Sequence, residues 1–518
     1  MQRIGVVGAG TMGAGIAQVA ARAGFDVLLY DIGRAPLEAG LVRIRFGLDR
    51  LVQRGKLSPD DREGLLAHIT TTSSLADFQG ADFVVEAAPE VLELKKEIFQ
   101  ALDRTCRSDV VLATNTSSLS VTEIGALTDR HDRVVGMHFF NPVPAMRLVE
   151  VVRGARTSPE TAALTAELTR LLGKEPVQAR DTPGFIVNRI ARPFPGEALR
   201  ILGEGVAGVA QIDRAAKLGA GFPMGPFELM DLVGMDINFA VNRSVFEQFF
   251  YEPRFRPHPL QAQMVKANLL GRKTGAGWYR YEGEQVLSGP AGAEFSGDRG
   301  PHPESIRTVS VIGDEAVAEL VWEAGYTPAP DPADADVVLV GDFATTPFDC
   351  RDGALVLLEA SRATVTSMAA GFHRPERVVG YGGIPSLTGR KLVEVATGLS
   401  TDAGAAALAA GFFRSLGRDV EVIRDGPGLI VPRLIACLVN EAAYALMEGV
   451  ALVGDINTAM RLGVNYPQGP LEWADSLGPR TVLQVLEGLY ETTRDDRYRP
   501  CPLLVKVAQS RRSFSSLA

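Results

Sequence analysis

Cysteine is scarce in this 518-residue chain, and the four present (Cys106, Cys350, Cys437 and Cys501) are far apart. They form neither a disulfide framework nor a metal-spaced cluster, which points to reduced, cytoplasmic thiols and no metal site. Long apolar runs are absent as well: none approaches the ~18 residues of a membrane span. The first apolar stretch, Ile4-Gly5-Val6-Val7, runs directly into a glycine loop instead of a cleavage region, so it does not read as a signal peptide. Positive charge is not in excess. With 53 Lys and Arg against 62 Asp and Glu, the net charge of −9 excludes a basic field able to hold a nucleic acid backbone or an anionic membrane. What remains is 46% hydrophobic and 22% charged, an ordinary globular composition. At ~150 residues per domain the length predicts three or four domains.

The chain opens as strand, glycine loop, helix, strand. Apolar segments at Arg3–Val7, Phe25–Asp31, Ala81–Glu86, Val110–Thr114, Arg133–Met137 and Arg147–Val152 predict strands, several separated by helical sequence. That alternation predicts a doubly wound α/β, Rossmann-like domain over 1–182. A long excursion at 36–72 carries Arg and Leu at helical spacing. After Asp181-Thr182-Pro183-Gly184 the pattern changes to amphipathic helices, with Pro183 suited to a first helical turn, and predicts an all-α domain over 183–285. A Gly-, Pro- and Ser-rich stretch, 286–305, reads as a linker.

Beyond it the sequence repeats in weakened form. Leu148-Val149-Glu150-Val151 matches Leu392-Val393-Glu394-Val395, Asp181-Thr182-Pro183-Gly184 matches Asp425-Gly426-Pro427-Gly428, and Gly225-Pro226-Phe227-Glu228 matches Gly469-Pro470-Leu471-Glu472, each at an offset of 244. Near the start the offset is 305, Val6-Val7-Gly8 matching Val311-Ile312-Gly313, so the second copy is shortened. The expectation is an internal duplication: a degenerate Rossmann-like domain over 306–425 and a second helical domain over 426–518. Two similar, linked helical domains can pack as an intrachain pseudo-dimer, with further homo-oligomerisation possible.

Gly8-Ala9-Gly10-Thr11-Met12-Gly13 follows a strand and opens a helix, and Asp31 ends the next strand 18 residues later. This is the context of a dinucleotide site: backbone N–H groups approach the pyrophosphate, and Asp31 bonds the adenosine ribose. A carboxylate there repels a 2′-phosphate, favouring NAD over NADP. Among only six histidines, His138 closes an apolar strand in Met137-His138-Phe139-Phe140-Asn141. Glu150 lies inside Leu148-Val149-Glu150-Val151-Val152, where a lone carboxylate would be costly to bury. A buried Glu beside a buried His would orient the imidazole and stabilise its protonated form. Ser117 follows the strand ending at Thr114, on the usual ligand side of such a sheet, and Asn188 lies in the first turns after Pro183-Gly184. Ser117 could equally cap a turn, and Asn188 could bond local backbone.

Taken in order, GAGTMG, VVEA, NTSSL, HFFNPVP, LVEVV, DTPGFIVNR and GRKTGAGWY make residues 1 to about 285 resemble the L-3-hydroxyacyl-CoA dehydrogenase family, with the second half following more loosely. The long bacterial form of that family acts on 3-hydroxybutyryl-CoA or 3-hydroxyadipyl-CoA, in fatty-acid or phenylacetate-type acyl-CoA catabolism. The resemblance implies His138 as general base, Glu150 as its partner, and Ser117 and Asn188 as substrate-side groups. It also implies that Glu90, Lys95, Asn115, Asn141 and Lys273 lie with Gly8, Gly10, Thr11, Met12, Gly13 and Asp31 at the NAD site. The excursion carries Arg43, Arg45, Arg50, Arg54 and Lys56, of which Arg54 and Lys56 fall nearest the family's CoA-contacting position. A solvated basic helix face is the competing reading.

Two other functions are open on the sequence. Relatives with the same HFFNP core act on free hydroxy or sugar acids, and duplicated halves suit a non-enzymatic dinucleotide-binding scaffold. The retained excursion favours the thioester, and the intact Ser117, His138, Glu150 and Asn188 set favours an enzyme. The second half is expected to be inert. Asp314 and Glu315 replace Ala9 and Gly10, Ser361 and Glu394 persist, but His138 maps to Gly382, Asn141 to Pro385 and Asn188 to Pro432.

Overall fold

The computed structural model describes residues 1–283, 285–288, 302–341 and 348–517. It divides into two compact units, Met1–Arg189 with Ala445–Asn465, and Ile190–Tyr444 with Tyr466–Leu517. The first is built on eight strands: β1 (Arg3–Val7), β2 (Asp26–Tyr30), β3 (Ile69–Thr72), β4 (Phe83–Glu86), β5 (Val111–Thr114), β6 (Val134–Phe139), β7 (Leu148–Arg153) and β8 (Glu175–Arg180). They lie in the order β3-β2-β1-β4-β5-β6-β7-β8. The first six are parallel; β7 runs antiparallel to β6, and β8 follows β7. The central strands are buried along their whole length, as expected where helices cover both faces of a parallel sheet.

Several expectations change here. The excursion is two helices, α1 (Thr11–Arg22) being followed after β2 by α2 (Arg34–Gln53) and α3 (Pro59–Ala67), and it returns through β3, an edge strand whose short Ile-Thr-Thr-Thr run carries little apolar signal. Strand β6 continues to Phe139, so His138 lies inside it and not at its end. Pro183 sits in a turn, and the next helix begins only at Val187, because Gly184 (φ 75°) and Phe185 (φ 48°) take left-handed backbone. Strand β8 was not anticipated, since Glu175, Gln178 and Arg180 break its apolar pattern.

The linear segments also do not coincide with the compact units. The helix Val453–Val464, within the expected second helical domain, packs on β7 and β8 of the first sheet. Gly463 permits this: a Cβ there would lie 2.8 Å from Leu148 Cδ2 and 3.0 Å from Val187 Cγ2. The Arg180 N–H donates to the Val450 carbonyl at 2.8 Å.

The second unit holds a short hairpin, β9 (Arg280–Glu282) with β10 (Gln285–Ser288), and a second sheet. The expected linker 286–305 therefore begins within the hairpin, and 289–301 lie outside the described residues. The sheet comprises β11 (Thr308–Ile312), β12 (Thr327–Pro328), β13 (Val337–Val340), β14 (Leu355–Glu359), β15 (Val378–Tyr381), β16 (Leu392–Thr397) and β17 (Asp419–Arg424), in the order β12-β11-β13-β14-β15-β16-β17. Again one strand, β16, reverses against its neighbour β15, and β17 follows it. Among the described residues no strand of this sheet lies beyond β12, the edge position that β3 holds in the first sheet. Among the described residues no helix is long and apolar enough to cross a membrane.

The helical parts of this unit meet through rings and buried charge. Phe222 stacks edge-on to Tyr466 at 5.0 Å between centroids, and Trp473 lies 5.3 Å from Phe222. Glu197, almost fully buried, accepts from Arg433 Nε at 2.9 Å, Arg497 Nη1 at 2.8 Å and the Tyr498 hydroxyl at 2.7 Å. Burial alone would raise the Glu197 carboxyl, but Arg433, Arg497 and Arg200 together with the Tyr498 hydroxyl outweigh it and hold the carboxyl at about 2. A depressed folded-state value contributes stability that is present above about pH 4.5 and is lost as pH falls toward 2. Glu197→Gln should therefore destabilise the protein at neutral pH by about 3–5 kcal/mol, the cost of removing the buried carboxylate that Arg433 and Arg497 share. It should also flatten the acid limb of the stability curve. Thermal unfolding across pH 2–7 checks both, and an unchanged acid limb would contradict the assignment.

Candidate active site

The glycine loop joins β1 to α1. Gly8 has φ 102°, and a Cβ at Gly13 would overlap the Gly8 carbonyl oxygen, so these two glycines are demanded by the chain's own packing. Gly10 is different: nothing lies within 4 Å of where its Cβ would be. It is the N-cap of α1, offers no side-chain cap, and is followed by no acid in the first turn. The free N–H groups and positive end of α1, beginning at Thr11 and Met12, thus face open space that fits a pyrophosphate. Asp31 sits just past β2, its carboxylate accepting the Ala9 N–H and the Ile32 N–H, each at 2.8 Å. It is tied to the loop where a ribose hydroxyl would need an acceptor. These residues fit NAD.

The next two strand ends are locked by buried charge. Lys95 is 1% exposed, and its ammonium donates to Glu86 Oε1 and Oε2 at 2.7 and 2.9 Å, with Glu90 at 3.3 Å. Lys95 therefore works from beneath the surface on two carboxylates. Thr114 Oγ1 also donates to Glu86, at 2.7 Å. Glu90 accepts from Thr116 Oγ1 at 2.5 Å and from the N–H groups of Ser117 and Ser118 at 2.9 and 3.0 Å. Burial would raise the Glu90 carboxyl, yet Lys95 and these donors prevail and hold it below the usual range. Ser117 is left exposed at the carboxyl end of β5. Asn115 Oδ1 accepts the Phe139 N–H at 2.8 Å, fastening that end of β5 to the end of β6. Glu86 and Thr116 were overlooked in the sequence. Glu86 carries a signal like that of Glu150, an acid closing an apolar, fully buried strand.

In the β6–β7 ladder His138 is the direct partner of Glu150. Their spacing of twelve is thus a property of antiparallel register. His138 Nδ1 lies 2.6 Å from Glu150 Oε2. Glu150 is fully buried, and its Oε1 accepts the N–H groups of Ile186 and Val187 at 3.0 and 2.9 Å. Those donors are the start of the short helix Val187–Ile190, which carries Asn188. The left-handed turn at Gly184-Phe185 delivers them to the carboxylate. Phe140 and Phe185 flank the imidazole at 4.6 and 5.7 Å. The site is therefore an imidazole with one nitrogen bound to a fully engaged carboxylate, in a largely apolar wall.

Other sequence-predicted residues stand elsewhere. Asn141 is exposed just past β6, and Arg54 and Lys56 are exposed at and just past the end of α2. Of the basic stripe, Arg43 reaches the loop, its Nη1 3.5 Å from the Ala9 carbonyl. Lys273 belongs to the second unit, where it pairs with Asp236. Among the described residues no three His, Cys, Asp or Glu side chains are arranged to hold a metal ion.

The corresponding positions of the second sheet are filled by the chain itself. Asp314 caps the helix Glu315–Glu323, its Oδ1 accepting the Val317 N–H at 3.0 Å. Glu394 keeps its pair of backbone donors, Ile430 and Val431, at 3.2 and 2.7 Å. Its other oxygen meets Arg390 Nη2 at 3.1 Å, and a Cβ on Gly382 would overlap it. A guanidinium stands on Glu394 where Glu150 has an imidazole, and it has no proton to exchange near neutrality. Ser361 donates its hydroxyl to Glu359.

Comparison with known proteins gives a consistent result. Residues 3–182 match the family description "3-hydroxyacyl-CoA dehydrogenase, NAD binding domain". Residues 184–281 and again 428–514 match "3-hydroxyacyl-CoA dehydrogenase, C-terminal domain". The chain is 40% identical over 516 residues to a 3-hydroxyadipyl-CoA dehydrogenase of Escherichia coli (strain K12), covering 100% of this chain and 99% of that one. It is 44% identical over 279 residues to a 3-hydroxybutyryl-CoA dehydrogenase of Clostridioides difficile, covering 54% of this chain and 99% of that protein. A crystal structure of 3-hydroxybutyryl-CoA dehydrogenase from Escherichia coli K12 superposes with a TM-score of 0.83 at 39% identity, covering 100% of this chain and 99% of that one.

The two kinds of glycine should respond differently to substitution. Gly10→Ala should leave the melting temperature nearly unchanged and weaken NAD binding about tenfold or more, ~1.4 kcal/mol. Gly13→Ala should lower both stability and affinity, because the loop must open. Equal melting losses in the two variants, read by thermal shift and titration, would show that Gly10 serves packing.

Proposed function

Because this chain belongs to the 3-hydroxyacyl-CoA dehydrogenase family of NAD-dependent oxidoreductases, we propose that His138 and Glu150 carry the proton transfer in oxidation of a (S)-3-hydroxyacyl-CoA. One observation carries the assignment. Glu150 is bound on one oxygen by two N–H groups, so it is held as an acceptor and takes the Nδ1 proton of His138 on the other. Nε2 then keeps its lone pair and is the ring's basic atom. His138 Nε2 removes the proton from the substrate 3-hydroxyl. Bound NAD supplies the acceptor for the hydride leaving the same carbon. The imidazolium so formed is stabilised by Glu150 at 2.6 Å, and in the reverse direction it returns the proton to the 3-keto oxygen.

Ser117 and Asn188 hydrogen-bond the reacting oxygen and orient the carbon that bears it. Gly8, Gly10, Thr11, Met12 and Gly13 hold the pyrophosphate, and Asp31 the ribose. Asn115 and Glu90 shape the nicotinamide side, Lys95 supports Glu90 from below, and Asn141 completes the NAD contacts of this unit. Arg54 and Lys56 take the CoA phosphates. The full-length likeness to a protein named 3-hydroxyadipyl-CoA dehydrogenase supports a place in fatty-acid or phenylacetate-type acyl-CoA catabolism.

We also infer that the two halves are duplicates and that only the first retains the chemistry. The offset of 244 relates reciprocal contacts as well as sequence: Arg189–Glu448 in one unit answers Arg433–Glu204 in the other. Such exchange supports a pseudo-dimer of the helical regions within one chain.

With 3-hydroxybutyryl-CoA or 3-hydroxyadipyl-CoA as substrate, His138→Gln should lower kcat about 10²–10⁴-fold while leaving NAD affinity unchanged. A parallel loss of NAD affinity, or equal turnover of the free hydroxy acid, would count against this function. Titration calorimetry should find one NAD site per chain and no NADP binding; two sites would overturn the inert second half.

A further inference from the structure

Lys174, in the first unit, is only 8% exposed, and no carboxylate among the described residues pairs with it. Its ammonium donates to the Val143 and Met146 carbonyls at 2.6 and 2.7 Å, fastening the β6–β7 connection to the start of β8. An ammonium has three N–H groups, so one is left over. Burial and the charge of Arg22 together push this ammonium down to about 8. Arg22 is exposed in the last turn of α1, and Arg147 is exposed just before β7. All three side chains line one cavity of about 340 Å³, walled by Val19, Pro144 and Leu172, and its described lining contains no Asp or Glu. Two helices, α1 and Pro159–Leu171, end beside it. Each helix end brings about half a negative charge, so the three cations keep a surplus of about two. The glycine loop lies at the other end of α1, ~18 Å away along the helix. None of the residues assigned above to NAD, CoA or proton transfer lines the cavity.

We propose that this cavity is a further anion site, which takes a phosphate group, free or as a phosphomonoester, on Arg22, Arg147 and the remaining N–H of Lys174. The charge selects the ligand class. A phosphate dianion cancels a surplus of about two, whereas a carboxylate or chloride cancels half of it. The donors suit it as well: guanidinium forks take the edges of an oxyanion, and the ammonium adds a point charge from the cavity floor. A bound phosphate also relieves the repulsion between Arg22 and Lys174. It lies behind the connection that follows the His138 strand, on the side where Lys174 holds the Val143 and Met146 carbonyls.

The test titrates inorganic phosphate into the full chain with NAD at saturation, so that the start of α1 is already filled. Binding should saturate, and Arg22→Gln combined with Arg147→Gln should weaken it about tenfold or more, through the loss of two charge-assisted contacts. Both arginines are exposed, so the double variant should fold. Without phosphate it should melt no lower than the wild type, because a repulsion on Lys174 has gone. With phosphate it should lack the rise in melting temperature that the wild type shows. Chloride at matched ionic strength should give the wild type no such rise. CoA and dephospho-CoA, which differ by a phosphomonoester, separate the two sources. A CoA site that dephospho-CoA does not fill and the double variant weakens assigns the ester; phosphate binding without that site assigns the free ion. If neither phosphate nor the CoA phosphomonoester binds in a way that the double variant weakens, or if chloride gives the same rise, the proposal is overturned.

Discussion

A carboxylate buried completely inside a β-strand is tolerable only when its charge is met on every side, and Glu150 is met on both oxygens. Two backbone N–H groups occupy one and the His138 imidazole the other. Most of the first unit follows from this arrangement. The strand must run antiparallel to β6 for the two residues to face each other. The chain after β8 must turn through left-handed backbone at Gly184 and Phe185 to bring its N–H groups back to the sheet. The same turn recurs at Gly428 and Leu429, where no imidazole is present, so its first duty is to satisfy the acid.

The nucleotide end of the sheet uses the same physics in a different form. Open N–H groups at α1 are left for an anion, while Lys95, Glu86 and Glu90 form a neutralised cluster below the surface that ties the Asn115–Ser118 turn in place. The Lys95 ammonium is thus committed to the protein's own acids. The end of α1 carries no side-chain cap, whereas at the helix Glu315–Glu323 a carboxylate of the chain, Asp314, caps the start.

The two sheets meet their buried acids by a simple rule of charge. Where Glu150 meets an imidazole, Glu394 meets Arg390, which approaches from four residues upstream along the same segment. A buried acid can lose its catalytic partner and survive if another cation takes the position.

The order of strands and helices, the glycine loop, the acid at the end of β2 and the offset of 244 were legible in the sequence because each is local or periodic. His138 and Glu150 were legible as a pair for a related reason: a rare histidine and an acid misplaced among valines each signal a partner. Glu86 gave the same signal and was passed over. Edge strand β3 and strand β8 left too weak an apolar pattern to read, being exposed or interrupted by charge. What no local pattern carries is long-range exchange. That Arg189 would meet Glu448, and that a helix from the second half would lie on the first sheet, depends on which buried surfaces complement each other. Tertiary packing alone decided that, because a fully buried guanidinium takes whichever carboxylate the fold places beside it.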